Sequence, residues 1–442
     1  MTNQSTRKIL LLNVRADFPP EIGLSDRHPL VRACRRTSWY AEAGDVIASP
    51  APIDREFLDH VGGTLGFDAG TISVVLRDRV LTDEVILAPD FVAELRLAIA
   101  DHPNWRIMAC YVTEGVAELA ERLGIGCDGS AFAAERGSDL LNRKGHFRRL
   151  AAGIGMPLAA GSVVQSPTRL ARAIEQHMPA TGAVIVKQHN AGGGLGNVVL
   201  AADDLGPLPG ARETRRIGPD VAETAEKLWT ELSQEHDPGV VVEVYHPAAR
   251  HMFYFEYLVA DSGVPRFVNS GTIRLVREGT AADERLSWVG LELPADLPPH
   301  SLAQALTHAT RFAVLAADIG YRGYLNIDAI VTASGELIFN EVNARWGGGL
   351  VLHTVASRLL GEDYADHSVA SSLRDVRPVP LARVVAAARE HGLDLTPERR
   401  EGVVVLACEP TQTEALECLL VAPSVSRVRE LETALRTVVE AL

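Results

Sequence analysis

The sequence is nearly without lysine. Of its 43 basic residues only Lys8, Lys144, Lys187 and Lys227 are lysines, and the others are arginines. A solvated surface cation can be either type, but a compact ammonium reaching a phosphate is not interchangeable with a planar guanidinium. Each of the four therefore merits inspection, and chance survival on the surface accounts for Lys8 and Lys227. Cysteine is scarce too: Cys34, Cys110, Cys127, Cys408 and Cys418 are scattered, odd in number and form no C-x-x-C pair. That excludes a disulfide framework and a structural zinc site, and it fits a reducing, cytoplasmic setting. No stretch approaches the roughly 20 apolar residues that span a bilayer. The apolar run near the start, KILLLNV, is too short for a signal core and reads as a first strand. A long Lys/Arg run is missing as well, and the formal net charge is −14. A nucleic-acid partner, which needs a concentrated basic face, is disfavoured.

What is present is ordinary globular composition, 47% hydrophobic and 23% charged over 442 residues, enough for two to four packed units. Short β-branched runs at 7–14, 45–49, 71–76, 85–87 and 106–112 alternate with helical patterns at 90–100 and 114–123, the latter ending at a glycine. This alternation predicts a small α/β unit with a parallel sheet over residues 1–125. It holds neither a G-x-G-x-x-G turn nor a G-x-x-x-x-G-K-[ST] loop, so it binds no nucleotide by either standard route. From Asp139 the pattern changes. DLLNRKGHFRRLAAGIGMP reads as one amphipathic helix, then GSVVQSP as a strand, 168–177 as a helix and TGAVIVKQHNAGGGLGNVVLA as strand, glycine loop, strand. Strands follow at 240–246 and 252–260, a helix at 302–319, and a hairpin in YLNIDAIV-TASG-ELIFNEVN. The last 80 or so residues carry helices at 381–390 and 430–442 around a strand at 402–408, after a linker at 374–380.

The hairpin is the strongest chemical signal. Residues two apart in a strand share a face, so Glu341 and Asn343 in FNEVNAR point together. A tight turn within 333–335 sets Asp328 opposite Phe339 or Glu341, on that same face. Three oxygen donors with no His or Cys suit Mg²⁺, held by one or two carboxylates and the phosphates of a nucleotide. The alternative, a solvated edge hairpin, is weakened because the flanking runs LNIDAIV and ELIFNEV are apolar, and buried carboxylates need partners.

Two further segments belong with it. Lys187 ends the apolar strand AVIVK, and five residues later the chain reads GGGLG, where Gly192, Gly193, Gly194 and Gly196 let backbone N–H groups approach phosphate oxygens. A strand follows this loop, which excludes a Walker or Rossmann turn. VVVEVYHP places Glu243, Tyr245 and His246 at the end of an apolar strand, either as a core strand with a satisfied acid or as a hinge against an adenine ring.

In order and spacing these elements resemble the ATP-grasp fold: Lys144 in a helix, Lys187 before the glycine loop, Glu243 at the hinge, then Asp328, Glu341 and Asn343 as D…E-x-N. The resemblance covers roughly residues 126–362. Within that superfamily the layout and NEVNARWGGG look most like the peptide ligases of the pheganomycin type, which implies an N-terminal parallel-sheet pre-ATP-grasp domain over 1–125, an α+β ATP-grasp domain over 126–362 and a small C-terminal α/β domain over 363–442. The resemblance implies that Lys144 and Lys187 contact ATP phosphates, that the loop from Gly192 to Gly196 closes over them, and that Glu243, Tyr245 and His246 hold adenine. It implies further that Asp328, Glu341 and Asn343 bind two Mg²⁺ (Mn²⁺ being the alternative metal), Glu341 bridging, and that Arg345 stabilises the transferring phosphoryl and an acyl phosphate. Relatives place an acid just past the hinge for the ribose. Here Ala249, Arg250 and His251 stand there, leaving the ribose contact open and Arg250 or His251 for the acceptor.

The activity so implied is ATP-dependent joining of a carboxylate to an amino acid or peptide amine, in peptide natural-product biosynthesis, by a chain that allows a homodimer. ATP-grasp chemistry on another acceptor (phosphotransfer or thioester formation) and nucleotide binding without turnover stay open as alternatives. For substrate contact the candidates are Arg274, Arg277, Trp346 and Gly348, since an arginine can grip a carboxylate bidentately. In so arginine-rich a chain an ordinary surface role competes.

Overall fold

The computed structural model describes residues 6–14, 33–191, 194–233, 239–246, 249–278, 285–409 and 415–442. The first sheet contains β1 (Arg7–Leu11), β2 (Val46–Ser49), β3 (Ser73–Leu76), β4 (Trp105–Ala109) and β5 (Gly126–Cys127). Its order is β3-β2-β1-β4-β5, with every pairing parallel. Ile9, Leu10 and Leu11 of β1 are all fully buried, as a central strand covered on both faces must be. The helix Glu114–Leu123 begins where Thr113 Oγ1 accepts the Val116 N–H and ends at Gly124, whose φ of 70° the missing Cβ permits. The strand expected at 85–87 is instead part of a helix, Asp83–Ile86. Acids at Asp83 and Glu84 suit a helix start, and three apolar residues alone cannot separate strand from helix.

The second sheet holds β6 (Gly161–Val164), β7 (Ala183–Gln188), β8 (Asn197–Ala201), β9 (Glu213–Arg216) and β10 (Val240–Val244), in the order β6-β10-β7-β8-β9. The third has eight strands: β11 (Ala249–Val259), β12 (Pro265–Glu278), β13 (Arg285–Leu293), β14 (Gly323–Thr332), β15 (Leu337–Asn343), β16 (Val369–Val376), β17 (Gly402–Glu409) and β18 (Ala415–Ala422). Their order is β15-β14-β11-β12-β13-β16-β18-β17, so strands on both sides of residue 362 share one sheet. The linker expected at 374–380 begins inside β16, and β18, whose ALECLLVA run alternates weakly, was not anticipated. Mixed α/β architecture, with a parallel sheet first and largely antiparallel sheets after it, is as the sequence implies.

One departure shapes the site. The helix expected to run unbroken from Asp139 is two helices, Gly137–Asn142 and Lys144–Gly153, separated at Arg143 by an extended backbone (ψ 119°). The break starts the second helix at Lys144 and frees the Asn142 side chain, whose Oδ1 accepts from the Ala344 N–H at 2.8 Å.

Candidate active site

The oxygen donors come from the β14–β15 hairpin. Its turn, Ala333 to Gly335, closes with Thr332 N–H to Glu336 O at 2.9 Å, and Gly335 takes a φ of 86°. Beyond it the register runs Val331 to Leu337, Ile330 to Ile338 and Ala329 to Phe339, then slips so that Asp328 faces Glu341. That bulge brings the acids level, and the period of two adds Asn343. Asn343 Nδ2 donates to Asp328 Oδ2 at 2.9 Å, and Arg345 Nη2 donates to Asn343 Oδ1 at 2.9 Å.

Two lysines approach from the second sheet's side. Lys144, at the start of its helix, has Nζ 3.2 Å from Glu341 Oε2 and also donates to the carbonyl of Ala191, at the edge of the glycine loop. Its own backbone N–H donates to His189 O at 3.2 Å. Lys187 Nζ is 2.5 Å from Glu243 Oε2, while the other oxygen of Glu243 pairs with Arg148. Both lysines are buried, which is costly for an ammonium without partners. Neither is a solvated surface cation.

The acids titrate apart. Desolvation first, and then the neighbouring Glu341 charge, push Asp328 up to about 8. Burial acts on Glu341 in the same sense, but Lys144, Lys187 and Arg345 together outweigh it and hold that carboxyl below its usual range. A protonated Asp328 beside an ionised Glu341 marks a place where positive charge is wanting, which is what a divalent cation supplies. Among the described residues no group of three or more His, Cys, Asp and Glu forms a metal cage. Two carboxylates and an amide suit instead a cation that takes its remaining oxygens from phosphates and water. The donor set fits Mg²⁺.

The other expected site residues fall as follows. Gly192 and Gly193 lie outside the described residues. Gly194 has φ 76°, and a Cβ at Gly196 would stand 2.3 Å from the Ala191 Cβ, so the turn between β7 and β8 is built on both. Glu243 has both oxygens engaged by cations, which gives it an orienting task on Lys187 beside the adenine contact that the resemblance implies. Tyr245 donates its N–H to Ala183 O at 3.0 Å and its hydroxyl to Pro209 O at 2.9 Å; His246 is half-buried next to it. Arg274 is already paired: Nη1 and Nη2 reach Glu432 at 2.6 and 3.1 Å, and Nη1 also donates to Ser371 Oγ at 2.7 Å. This argues against its grip on a substrate carboxylate. The side chains of Arg277 and Arg250 lie outside the described residues. Trp346 is buried edge-on to Tyr40 with ring centroids 4.8 Å apart, and Gly348 O accepts from Arg36 at 3.1 Å.

Sequence reasoning missed Glu256, Asn269 and Tyr254. Glu256 is fully buried on β11, accepting from Asn269 Nδ2 at 2.8 Å and from the Gly347 N–H at 2.7 Å. Burial pushes its carboxyl up to about 7. The signal was a lone acid in the apolar run MFYFEYLV, which cannot be buried without partners.

Residues 34–125 match the family model of the Pre ATP-grasp domain. No curated protein matches the sequence. Solved structures match along almost the whole chain. The biotin carboxylase domain of the Hydrogenobacter thermophilus 2-oxoglutarate carboxylase, solved with MgADP, ADP and bicarbonate, is 14% identical at a TM-score of 0.60, covering 97% of this chain and 90% of its own. The N5-carboxyaminoimidazole ribonucleotide synthetase of Thermus thermophilus is 12% identical at 0.56, over 98% and 99%. An L-amino acid ligase from Bacillus licheniformis is 13% identical at 0.52, over 98% of each. The chain has the ATP-grasp fold. The β14–β15 hairpin and the helix from Lys144 meet at the Lys144–Glu341 pair, and Lys144 also reaches Ala191 where β7 leads into its turn. No helix among the described residues is long and apolar enough to cross a membrane.

Proposed function

We propose that this ATP-grasp protein is an ATP-dependent carboxylate–amine ligase acting through an acyl phosphate. The observation that carries the reading is the convergence of Lys144 on Glu341, of Asn343 on Asp328, and of Arg345 on Asn343, all at hydrogen-bond distance. A carboxylate is a poor electrophile. Transfer of the γ-phosphoryl of ATP to its oxygen forms a mixed anhydride and ADP; the amine then attacks the acyl carbon, and phosphate leaves with the former carboxylate oxygen. The barrier is charge crowding between triphosphate and carboxylate. Mg²⁺ held by Asp328, Glu341 and Asn343 would neutralise phosphate charge. Lys187, oriented by Glu243, serves the phosphates from the sheet. Lys144 joins the metal-binding hairpin to the glycine loop, and Arg345 carries positive charge to the transferring group. The loop from Gly192 to Gly196 closes over the phosphates and excludes the water that would hydrolyse the anhydride, while Tyr245 and His246 line the adenine side.

The amine is that of an amino acid or peptide, and the setting is peptide natural-product biosynthesis in the cytoplasm. Resemblance of NEVNARWGGG to the pheganomycin-type peptide ligases supports this, as does sharing a fold with an amino acid ligase over nearly the full length. The division at 125/126 and 362/363 belongs to the same reading. The test is incubation with ATP, Mg²⁺, hydroxylamine and a panel of carboxylic acids. The expected result is hydroxamate with equimolar ADP for one class of acid, both nearly abolished in Glu341→Gln with the fold intact. ADP release without hydroxamate would turn the assignment to another acceptor, and wild-type turnover in the variant would sink it.

A further inference from the structure

The loop that follows the metal-binding hairpin, Trp346 to Gly349, is held by a buried polar group that the reaction outlined above does not use. Glu256 on β11 receives the Gly347 N–H on Oε1 at 2.7 Å and Asn269 Nδ2 on Oε2 at 2.8 Å. Asn269 of β12 in turn accepts the Tyr254 hydroxyl at 2.9 Å, which fixes its amide. The three side chains are buried, Glu256 completely. The glycines let the loop lie directly on them. A Cβ at Gly347 would stand 2.5 Å from Asn326 Nδ2 and 2.7 Å from Glu256 Oε1, and one at Gly349 would stand 1.7 Å from Tyr254 Oη. There is no room here for substrate, so these groups act on the loop alone. Arg345 immediately precedes the loop and bonds at once to Asn343 and to the Trp346 carbonyl, the latter at 3.3 Å.

We propose that Glu256 is a positioning residue: with Asn269 and Tyr254 it latches the Gly347 amide and thereby fixes Arg345 over the metal-binding hairpin. This rests on the ligase reading, in which Arg345 meets the transferring phosphoryl. A fully buried carboxylate is costly to keep, and this one meets two N–H donors, one of them the backbone of the loop. Its geometry suits holding backbone better than holding a ligand. The arrangement is of one polarity: Tyr254 donates to Asn269, Asn269 donates to Glu256, and Gly347 donates to Glu256 from the other side. Glu256→Gln reverses one member. Whichever way the two amides turn, one buried donor is left unpaired. Asn269→Asp sets two carboxylates face to face. The double exchange Glu256→Gln with Asn269→Asp restores every bond. The new glutamine amide accepts from Gly347 with its oxygen and donates with its nitrogen to the new aspartate, which still accepts from Tyr254. Net charge and shape are unchanged.

The experiment uses the full chain and two readouts. The first is hydrogen–deuterium exchange of the peptide spanning residues 344–350, which needs no turnover. The second is ADP release with the acid found in the hydroxamate screen. Each single variant is expected to speed exchange of that peptide and to lower kcat by roughly 10- to 100-fold, the consequence of one unpaired buried group, with KM for MgATP within about twofold of wild type. The double exchange should return both readouts towards wild type. Singles that exchange and turn over like wild type overturn the proposal. So does a double variant that melts like wild type yet stays as slow as the worse single. If wild-type protein activates no acid at all, the ligase reading fails by itself, and the exchange data still decide whether Glu256 holds the loop.

Discussion

Asp328 and Glu341 are chemically similar side chains on facing positions, yet their surroundings divide the work between them. Lys144 stands against Glu341, while Asp328 has the Asn343 amide at hydrogen-bond distance and a like charge across the ladder. Desolvation and that like charge keep Asp328 protonated at neutral pH; cation binding requires it ionised, so the proton must leave. The sign follows directly. The metal-free protein holds the extra proton and the loaded one does not, so affinity for Mg²⁺ with nucleotide rises with pH until the raised value is passed. Calorimetry of MgADP binding at pH 7 in buffers of different ionisation enthalpy should give a net release approaching one proton. Asp328→Asn should bind more weakly and release none. Buffer-independent heats in the wild type would show that the carboxyl is already ionised and that the charge balance at the hairpin is misjudged.

At the scale of elements, the site was legible where a short-range rule governs and hidden where distant strands decide. Period-two alternation gives the common face of Glu341 and Asn343, and a tight turn narrows Asp328 to two partners. The bulge between Asp328 and Ala329 then selects Glu341, and nothing local announces it. Lys187 was readable because its strand is apolar and lysines are few. Its pairing with Glu243 depends on the β7–β10 register, in which Val241 faces Lys187 and Glu243 sits two places on, and register is a tertiary property. Glu256 stood out as a lone acid in an apolar run, but its partners were illegible for the same reason: they come from β12 and from a loop some ninety residues away. The β7–β8 turn offers an element-scale prediction. Gly196 has no space for a Cβ beside Ala191 and Gln188. Gly196→Ala must displace the segment that carries the Ala191 carbonyl to Lys144. We expect a stability loss of about 1–3 kcal/mol and a KM for ATP raised severalfold, read from urea melts and steady-state kinetics. An alanine variant as stable and as avid as wild type would mean that the turn accommodates the methyl.

Over the whole molecule, the packing makes the first and third sheets dependent on one another. Leu10 of the first sheet, Tyr254 and Leu291 of the third, Trp346 of the loop and Val404 and Leu419 near the C-terminus belong to one buried cluster. Trp39 donates to the Leu406 carbonyl at 2.8 Å, which docks the N-terminal region on β17. Charge reinforces the junction where Arg36 bridges Gly348 O and Glu417, and within the C-terminal half Arg274 and Arg429 share Glu432. Arg274 is thus the residue on which an expected substrate role and an observed structural role give opposite results. Removing it leaves Glu432, about 10% exposed, to Arg429, and breaking a largely buried pair is destabilising because the remaining charge stays desolvated. Arg274→Ala should therefore lower stability by about 2 kcal/mol, seen as a shifted urea midpoint, and leave KM for the acid and amine substrates near wild type once the folded fraction is equalised. A guanidinium that held a substrate carboxylate would do the reverse, raising KM at least roughly tenfold with the midpoint unmoved, and that result would place the substrate beside β12 instead of across the hairpin from Arg345.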